Sequence, residues 1–300
     1  MLKIAYSDIY VYQLPDGHRF PMSKYELLPQ QLLYEGTVTE ENFFEPNQLT
    51  TAQLLTVHTP EYLHKLETLT LSKKEIRNIG FPVQRSLIER GKYIASGTYQ
   101  CAHYALKAGI SLNIAGGTHH SYADHGEGFC VFNDMALASK MLLQEGTVKK
   151  ILFIDLDVHQ GNGNAYIFRD EPTVFTFSMH GAKNYPLRKE QSDLDIGVVD
   201  KIEDAAYLRL LEETLPRLID EVQPDLAFYQ AGVDILATDK LGRLSVSQKG
   251  CQQRDAFVMK QCQKNSIPLV VAMGGGYSEK IYDIIEAHAN TYRTAQELYF

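Results

Sequence analysis

The residues with the clearest chemical use lie in Ile151-Leu-Phe-Ile-Asp-Leu-Asp-Val-His-Gln-Gly-Asn162. The stretch opens as an apolar run and reads as a buried parallel strand. Charge enters only at its C-terminal end, as Asp155, Asp157 and His159. Alternate residues of a strand share a face, so these three point the same way as the chain leaves the sheet. Two carboxylates and an imidazole at the carboxyl end of a buried strand suit a divalent metal. An ordinary Asp N-cap after a core strand would also leave acids here, so the metal reading depends on what other segments supply.

Three segments supply partners. His119 and His120 follow a short strand over Ile110 to Ala115. Asp234 sits in Ala231-Gly-Val-Asp-Ile235, and Tyr277 stands behind Gly274-Gly-Gly276. Singly, each has a bland explanation: a satisfied core histidine, a tight turn, a packing tyrosine. Jointly, four strand ends present ligand and acid-base residues. Asp157, His159 and Asp234 give three N/O ligands and leave positions for water and substrate, which is a catalytic arrangement. A binuclear site would need a second Asp-x-Asp pair. The next acid after Asp234 is Asp239, five residues on, so one metal is expected.

The elements that must position these residues alternate. Ser23 and Glu26 form a capping-box pattern before a helix over Tyr25 to Tyr34, and Thr59-Pro60-Glu61 starts another. A long helix is expected over 82–108, followed by helices over 133–145, 204–221 and 246–264 and a last one after Tyr277. Strands are expected at 173–178, after Asp225 and over Ile267 to Met273, with a charged, irregular segment from His180 to Val199. Short apolar strands between amphipathic helices predict one α/β domain over residues 1–300, a central parallel sheet covered on both faces.

Acids outnumber Lys and Arg, 37 to 29, for a net charge of −8. That disfavours a general nucleic-acid binder and is compatible with a cationic substrate, although net charge says little about a local pocket. No apolar run reaches the length of a membrane span, and the N-terminus lacks the pattern of a signal peptide. Cys101, Cys130, Cys251 and Cys262 have no metal-finger spacing. They read as reduced thiols of a cytoplasmic protein.

Val57-His-Thr-Pro-Glu-Tyr-Leu63, Gly116-Gly-Thr-His-His120, Gly126-Glu-Gly-Phe-Cys130, Ile154 to Gly163, Gln230-Ala-Gly-Val-Asp234 and Gly274-Gly-Gly-Tyr277 occur in this order. Together they resemble the zinc-dependent histone deacetylase family, of the arginase/deacetylase fold. Gln160-Gly-Asn-Gly163 and Asp239-Lys-Leu-Gly-Arg-Leu-Ser245 look most like its class IV branch and bacterial relatives. The resemblance implies an active site in loops at the C-terminal ends of the strands. Asp157, His159 and Asp234 would hold zinc, with Fe(II) as an alternative because N/O ligands select weakly between such ions. It implies His120 as general base, His119 as its electrostatic or relay neighbour oriented by Asp155, and Tyr277 as oxyanion donor. Phe129 and Tyr185 would wall a narrow acyl-lysine channel, with Gly128 and Gly275 beside it. Asp155, Ser178 and carbonyls of Asp157, His159 and Met179 match a potassium site. One departure stands out: Asn162 partners the second histidine where better-known members carry Asp, a change that the class IV branch shares. The implied substrate is an acylated lysine side chain of a protein or peptide. Alternatives are a small acylated amine such as an acetylpolyamine, or a non-catalytic acyl-lysine binder. The rim segments Pro15–Pro21 and His180–Ile196 should decide between substrates.

Overall fold

A strand that buries both faces needs helices on both sides. In the computed structural model, which describes residues 1–300, eight strands form one all-parallel sheet. They are β1 (Lys3–Ala5), β2 (Phe43–Phe44), β3 (Ile110–Asn113), β4 (Ile151–Asp155), β5 (Val174–Gly181), β6 (Leu194–Val198), β7 (Leu226–Gln230) and β8 (Leu269–Ala272). Their order across the sheet is β2-β1-β3-β8-β7-β4-β5-β6. Ten helices surround it: α1 (Lys24–Tyr34), α2 (Thr51–Leu54), α3 (Pro60–Glu67), α4 (Lys73–Ile79), α5 (Arg85–Ala108), α6 (Asp134–Gln144), α7 (Asn162–Phe168), α8 (Asp204–Val222), α9 (Gln248–Lys264) and α10 (Ile281–Tyr299).

Strand alternation divides the core into two layers. Ile151, Phe153, Leu226, Phe228 and Val270 face one side, with Met135 and Leu142 of α6 and Phe168 of α7. Leu152, Ile154, Tyr229 and Val271 face the other, with Leu211 and Leu215 of α8, Val258 of α9 and Tyr292 of α10. Each such side chain, fully buried, stabilises the fold by about 1.5–3 kcal/mol.

Three local expectations are corrected. Ser23 is itself helical (φ −60°, ψ −16°) and makes no capping bond, because residues 20–23 already turn toward the helix. Capping boxes form instead at Thr50/Gln53 and Ser72/Glu75. The segment after His180 is not wholly irregular: 194–198 pair with β5 as the sheet's edge strand, where one half-exposed face tolerates polar residues. β3 ends at Asn113 and β4 at Asp155, so Asp157 and His159 lie on a loop beyond the strand.

Candidate active site

Parallel pairing sets neighbouring strand ends level. Asn113, Ala272, Gln230 and Asp155 form one row across β3, β8, β7 and β4. The loops carrying His119–His120, Tyr277, Asp234 and Asp157–His159 all leave the sheet from this row. Segments far apart in sequence thus meet because their strands are adjacent.

Ligand atoms of Asp157, His159 and Asp234 lie within 4.8 Å of one another, and all three residues are buried. His159 Nδ1 is 3.1 Å from both Asp157 Oδ1 and Asp234 Oδ2. The backbone orients the carboxylates: Gly275 N donates to Asp157 Oδ2 (2.9 Å) and Val158 N to Asp234 Oδ1 (2.9 Å). Gly275 is required here, since a Cβ would strike the Asp234 carboxylate. Burial, and then the adjacent Asp157, raise the Asp234 pKa to about 7. Two desolvated carboxylates this close call for a cation, and the hard O/N donor set fits a divalent ion.

The two histidines are driven apart electrostatically. His119 Nδ1 lies 2.7 Å from Asp155 Oδ2. Burial opposes its charge, but Asp155 and Asp157 outweigh burial and raise its pKa to about 9. Burial, together with the charges on His119 and His159, holds His120 well below the usual histidine value. His120 Nδ1 lies 2.6 Å from Asn162 Oδ1, and an amide oxygen only accepts. Nδ1 therefore carries the proton, and Nε2 keeps its lone pair.

Asn162 is oriented in turn: its Nδ2 donates to Glu127 Oε1 at 2.5 Å and to Tyr122 Oη at 3.1 Å. Glu127 is a carboxylate one residue further from His120, and it fixes which end of the amide faces the imidazole. Asn162→Asp alone would set two carboxylates in contact, and they would share a proton. Asn162→Asp with Glu127→Gln should give His120 a lone carboxylate partner and raise its pKa. A general base must begin neutral, so the acid limb of the kcat/KM–pH profile should move upward by roughly one unit. An acid limb that stays in place in the metal-replete double variant would separate Asn162 from the base.

Tyr277 is buried, its backbone N held by Asp239 Oδ2 at 2.6 Å. Burial and then Asp234 and Asp157 push its phenol well above the usual value, so it stays protonated and keeps an O–H to donate. Phe129 and Tyr185 line one cavity of about 820 Å³ that reaches His120, His159 and Tyr277 at its base, with Gly128 in the wall. Phe129 adopts a left-handed backbone (φ +68°) and its ring sits 6.0 Å from that of Tyr277. Such strain in a bulky residue persists only where surrounding packing fixes it, here Phe20 and Phe81 at 5.1 Å each. Ser178 pairs with Asp155 across β4 and β5. Its hydroxyl lies 2.9 Å from His180 Nδ1, whose pKa burial lowers to about 4.

Several positioning residues escaped the sequence reading. Asp134, at the start of α6, accepts from Gly117 N and Thr118 N (3.0 and 2.7 Å) and fixes the loop before His119. Arg254 on α9 is fully buried and donates to Gly232 O (2.6 Å), Leu156 O (3.2 Å) and Ala231 O (3.3 Å), tying two ligand loops to one cation. Asp255 balances its charge at 2.8 Å. Lys24 Nζ, also buried, donates to Gly274 O at 3.1 Å. The only sequence signal for these was a charge on the apolar side of a helix, as at Arg254.

The histone deacetylase domain family matches residues 18–292. An uncharacterized protein of Picosynechococcus sp. is 40% identical over 296 residues, covering 99% of each chain. Histone deacetylase 2 of Arabidopsis thaliana is 31% identical over 277 residues, 89% of this chain and 72% of that one. Among solved structures, the crystal structure of the HDA15 HD domain superposes with a TM-score of 0.83 at 19% identity, covering 99% of this chain and 88% of that chain. The row of strand ends, the ligand cluster and these matches agree, and the chain belongs to the histone deacetylase family.

Proposed function

We propose that the protein is a zinc-dependent deacylase that hydrolyses the side-chain amide of acyl-lysine in proteins or peptides. The observation that carries this reading is one cavity whose base joins a three-ligand cluster, a neutral imidazole and an unshared phenol. Asp157, His159 and Asp234 would hold a divalent ion, which would supply Lewis acidity toward the acyl carbonyl and toward a water. His120 Nε2 then accepts a proton from that water as it attacks the carbonyl carbon. Tyr277 Oη donates to the carbonyl oxygen as that oxygen gains charge. When the C–N bond breaks, His120 returns its proton to the departing lysine nitrogen, so the cycle consumes one water and leaves the base neutral. His119, held charged by Asp155, stabilises the developing negative charge. A potassium ion on Asp155, Ser178 and the carbonyls of Asp157, His159 and Met179 would brace the β4 end and takes no part in bond changes. Four buried free thiols fit a reducing cytoplasm.

The test is turnover by the zinc-loaded protein on acyl-lysine peptides of rising acyl length, with acetylpolyamines alongside. Release of carboxylate from a peptide is the expected result, and turnover of acetylpolyamines alone would move the assignment to small amines. Phe129→Ala should raise KM by roughly tenfold, about 1.4 kcal/mol of lost apolar enclosure, with metal content intact. Unchanged binding of a lysine-like hydroxamate would remove Phe129 from the channel.

A further inference from the structure

The charge at the mouth of the cavity runs against that of the whole chain. Acids exceed bases by eight overall, yet Arg19, Arg77, Lys183, Lys240 and Arg243 line the cavity, with Glu127 as its only acid. They converge from separate segments: Arg19 from the loop before α1, Arg77 from α4, Lys183 from the turn after β5, and Lys240 and Arg243 from the turn after β7. All five are exposed. Lys183 and Arg243 share a single carboxylate, Asp200, at 3.8 and 3.2 Å. Arg77 and Lys240 form no ion pair, and neither does Arg19, whose guanidinium lies 5.0 Å over the Phe129 ring on the channel wall. Glu127 is turned inward onto Asn162. An ordinary solvated surface of this composition would interleave acids with these cations. Here Asp200 alone, shared by two of the five, pairs with them.

We propose that this ring selects acyl-lysine segments carrying Asp or Glu within a few residues of the acylated lysine, an inference that rests on the deacylase reading. The substrate stem enters between Phe129 and Tyr185, so residues flanking it in the polypeptide must lie on the rim where the cations stand. The same ring repels acetylpolyamines, whose remaining amines are charged, and so reverses the expectation drawn from net charge. A long polyanion such as nucleic acid would extend past the rim onto a surface of opposite preference. A short acidic stretch fits the localised field. An exposed ion pair changes affinity by roughly 1.4- to 5-fold, so three of middling strength, about 2.5-fold each, give roughly tenfold or more together.

The experiment compares three acetyl-lysine peptides on the zinc-loaded protein, identical except for four flanking residues that are Asp, Gln or Lys. The Asp peptide should exceed the Lys peptide in kcat/KM by roughly tenfold or more at low salt, chiefly through KM, and the ratio should shrink toward unity near about 0.5 M salt. Arg77→Glu with Lys240→Glu should erase or invert the order. A low-salt ratio within threefold, or a preference unmoved by the charge reversal, overturns the ring, while turnover of the Gln peptide leaves the deacylase reading standing. Fluorescence anisotropy of the same labelled peptides reads the ratio without turnover, so the ring is judged even if no peptide is hydrolysed and the deacylase reading falls. An oligothymidylate of equal charge that displaces the Asp peptide more strongly than the peptide displaces itself would assign the rim to nucleic acid and overturn the proposal.

Discussion

Asp234→Ala is expected to release the divalent ion and to lower kcat/KM by more than roughly 10³-fold, because carbonyl polarisation and water activation, each worth several kcal/mol, go together. Asp234 carries no other chemistry: its Oδ2 faces His159 Nδ1 and its Oδ1 accepts from Val158 N. Asp157→Ala and His159→Ala should behave alike, since three ligands leave no spare. Elemental analysis should give one divalent ion per chain for the parent and much less than one for each variant. Two tightly held ions per parent chain would contradict the three-ligand count. So would a variant that keeps its activity after losing its metal. The fold should survive, because the ligand loops are also tied by Arg254 to Leu156, Ala231 and Gly232.

Tyr277→Phe should slow kcat by roughly 10²–10³-fold, about 3–4 kcal/mol of transition-state stabilisation, with metal content unchanged. The phenol is a donor at every pH of interest, since burial, Asp234 and Asp157 all push its pKa up. Substrate binding should largely persist, because the hydrogen bond strengthens only as the carbonyl gains charge. Tyr277 packs beside Phe20 (5.9 Å) and Phe129 (6.0 Å), contacts that Phe retains. The substitution therefore separates the hydroxyl from the ring. Single-turnover hydrolysis of an acetyl-lysine peptide decides it: a loss below about threefold, near 0.7 kcal/mol, would return Tyr277 to packing.

What the sequence by itself determined is the set of strands and what stands at their ends. Apolar runs such as 151–155 and 226–230 cannot face water, so a covered parallel sheet was legible without coordinates, as was the family. Short-range signals were less secure. Ser23 and Glu26 matched a capping box, yet the backbone at Ser23 is helical, because the preceding turn, not the side chain, sets that helix start. Leu194–Val198 is short, holds Asp195 and Gly197, and lies inside a charged, turn-rich stretch, so only its pairing with β5 at the sheet edge reveals it as a strand.

Tertiary structure alone decided which ends meet and what surrounds them. The row from Asn113 to Asp155 exists because β8 and β7 insert between β3 and β4, an order no local propensity encodes. Glu127 behind Asn162, Arg254 beneath the ligand loops and the basic mouth share one reason for being illegible. Each joins residues separated by tens to hundreds of positions, and side-chain electrostatics act through space over about 10 Å, not along the chain. Net charge sums over the whole surface, so a value of −8 hid five cations gathered around one opening.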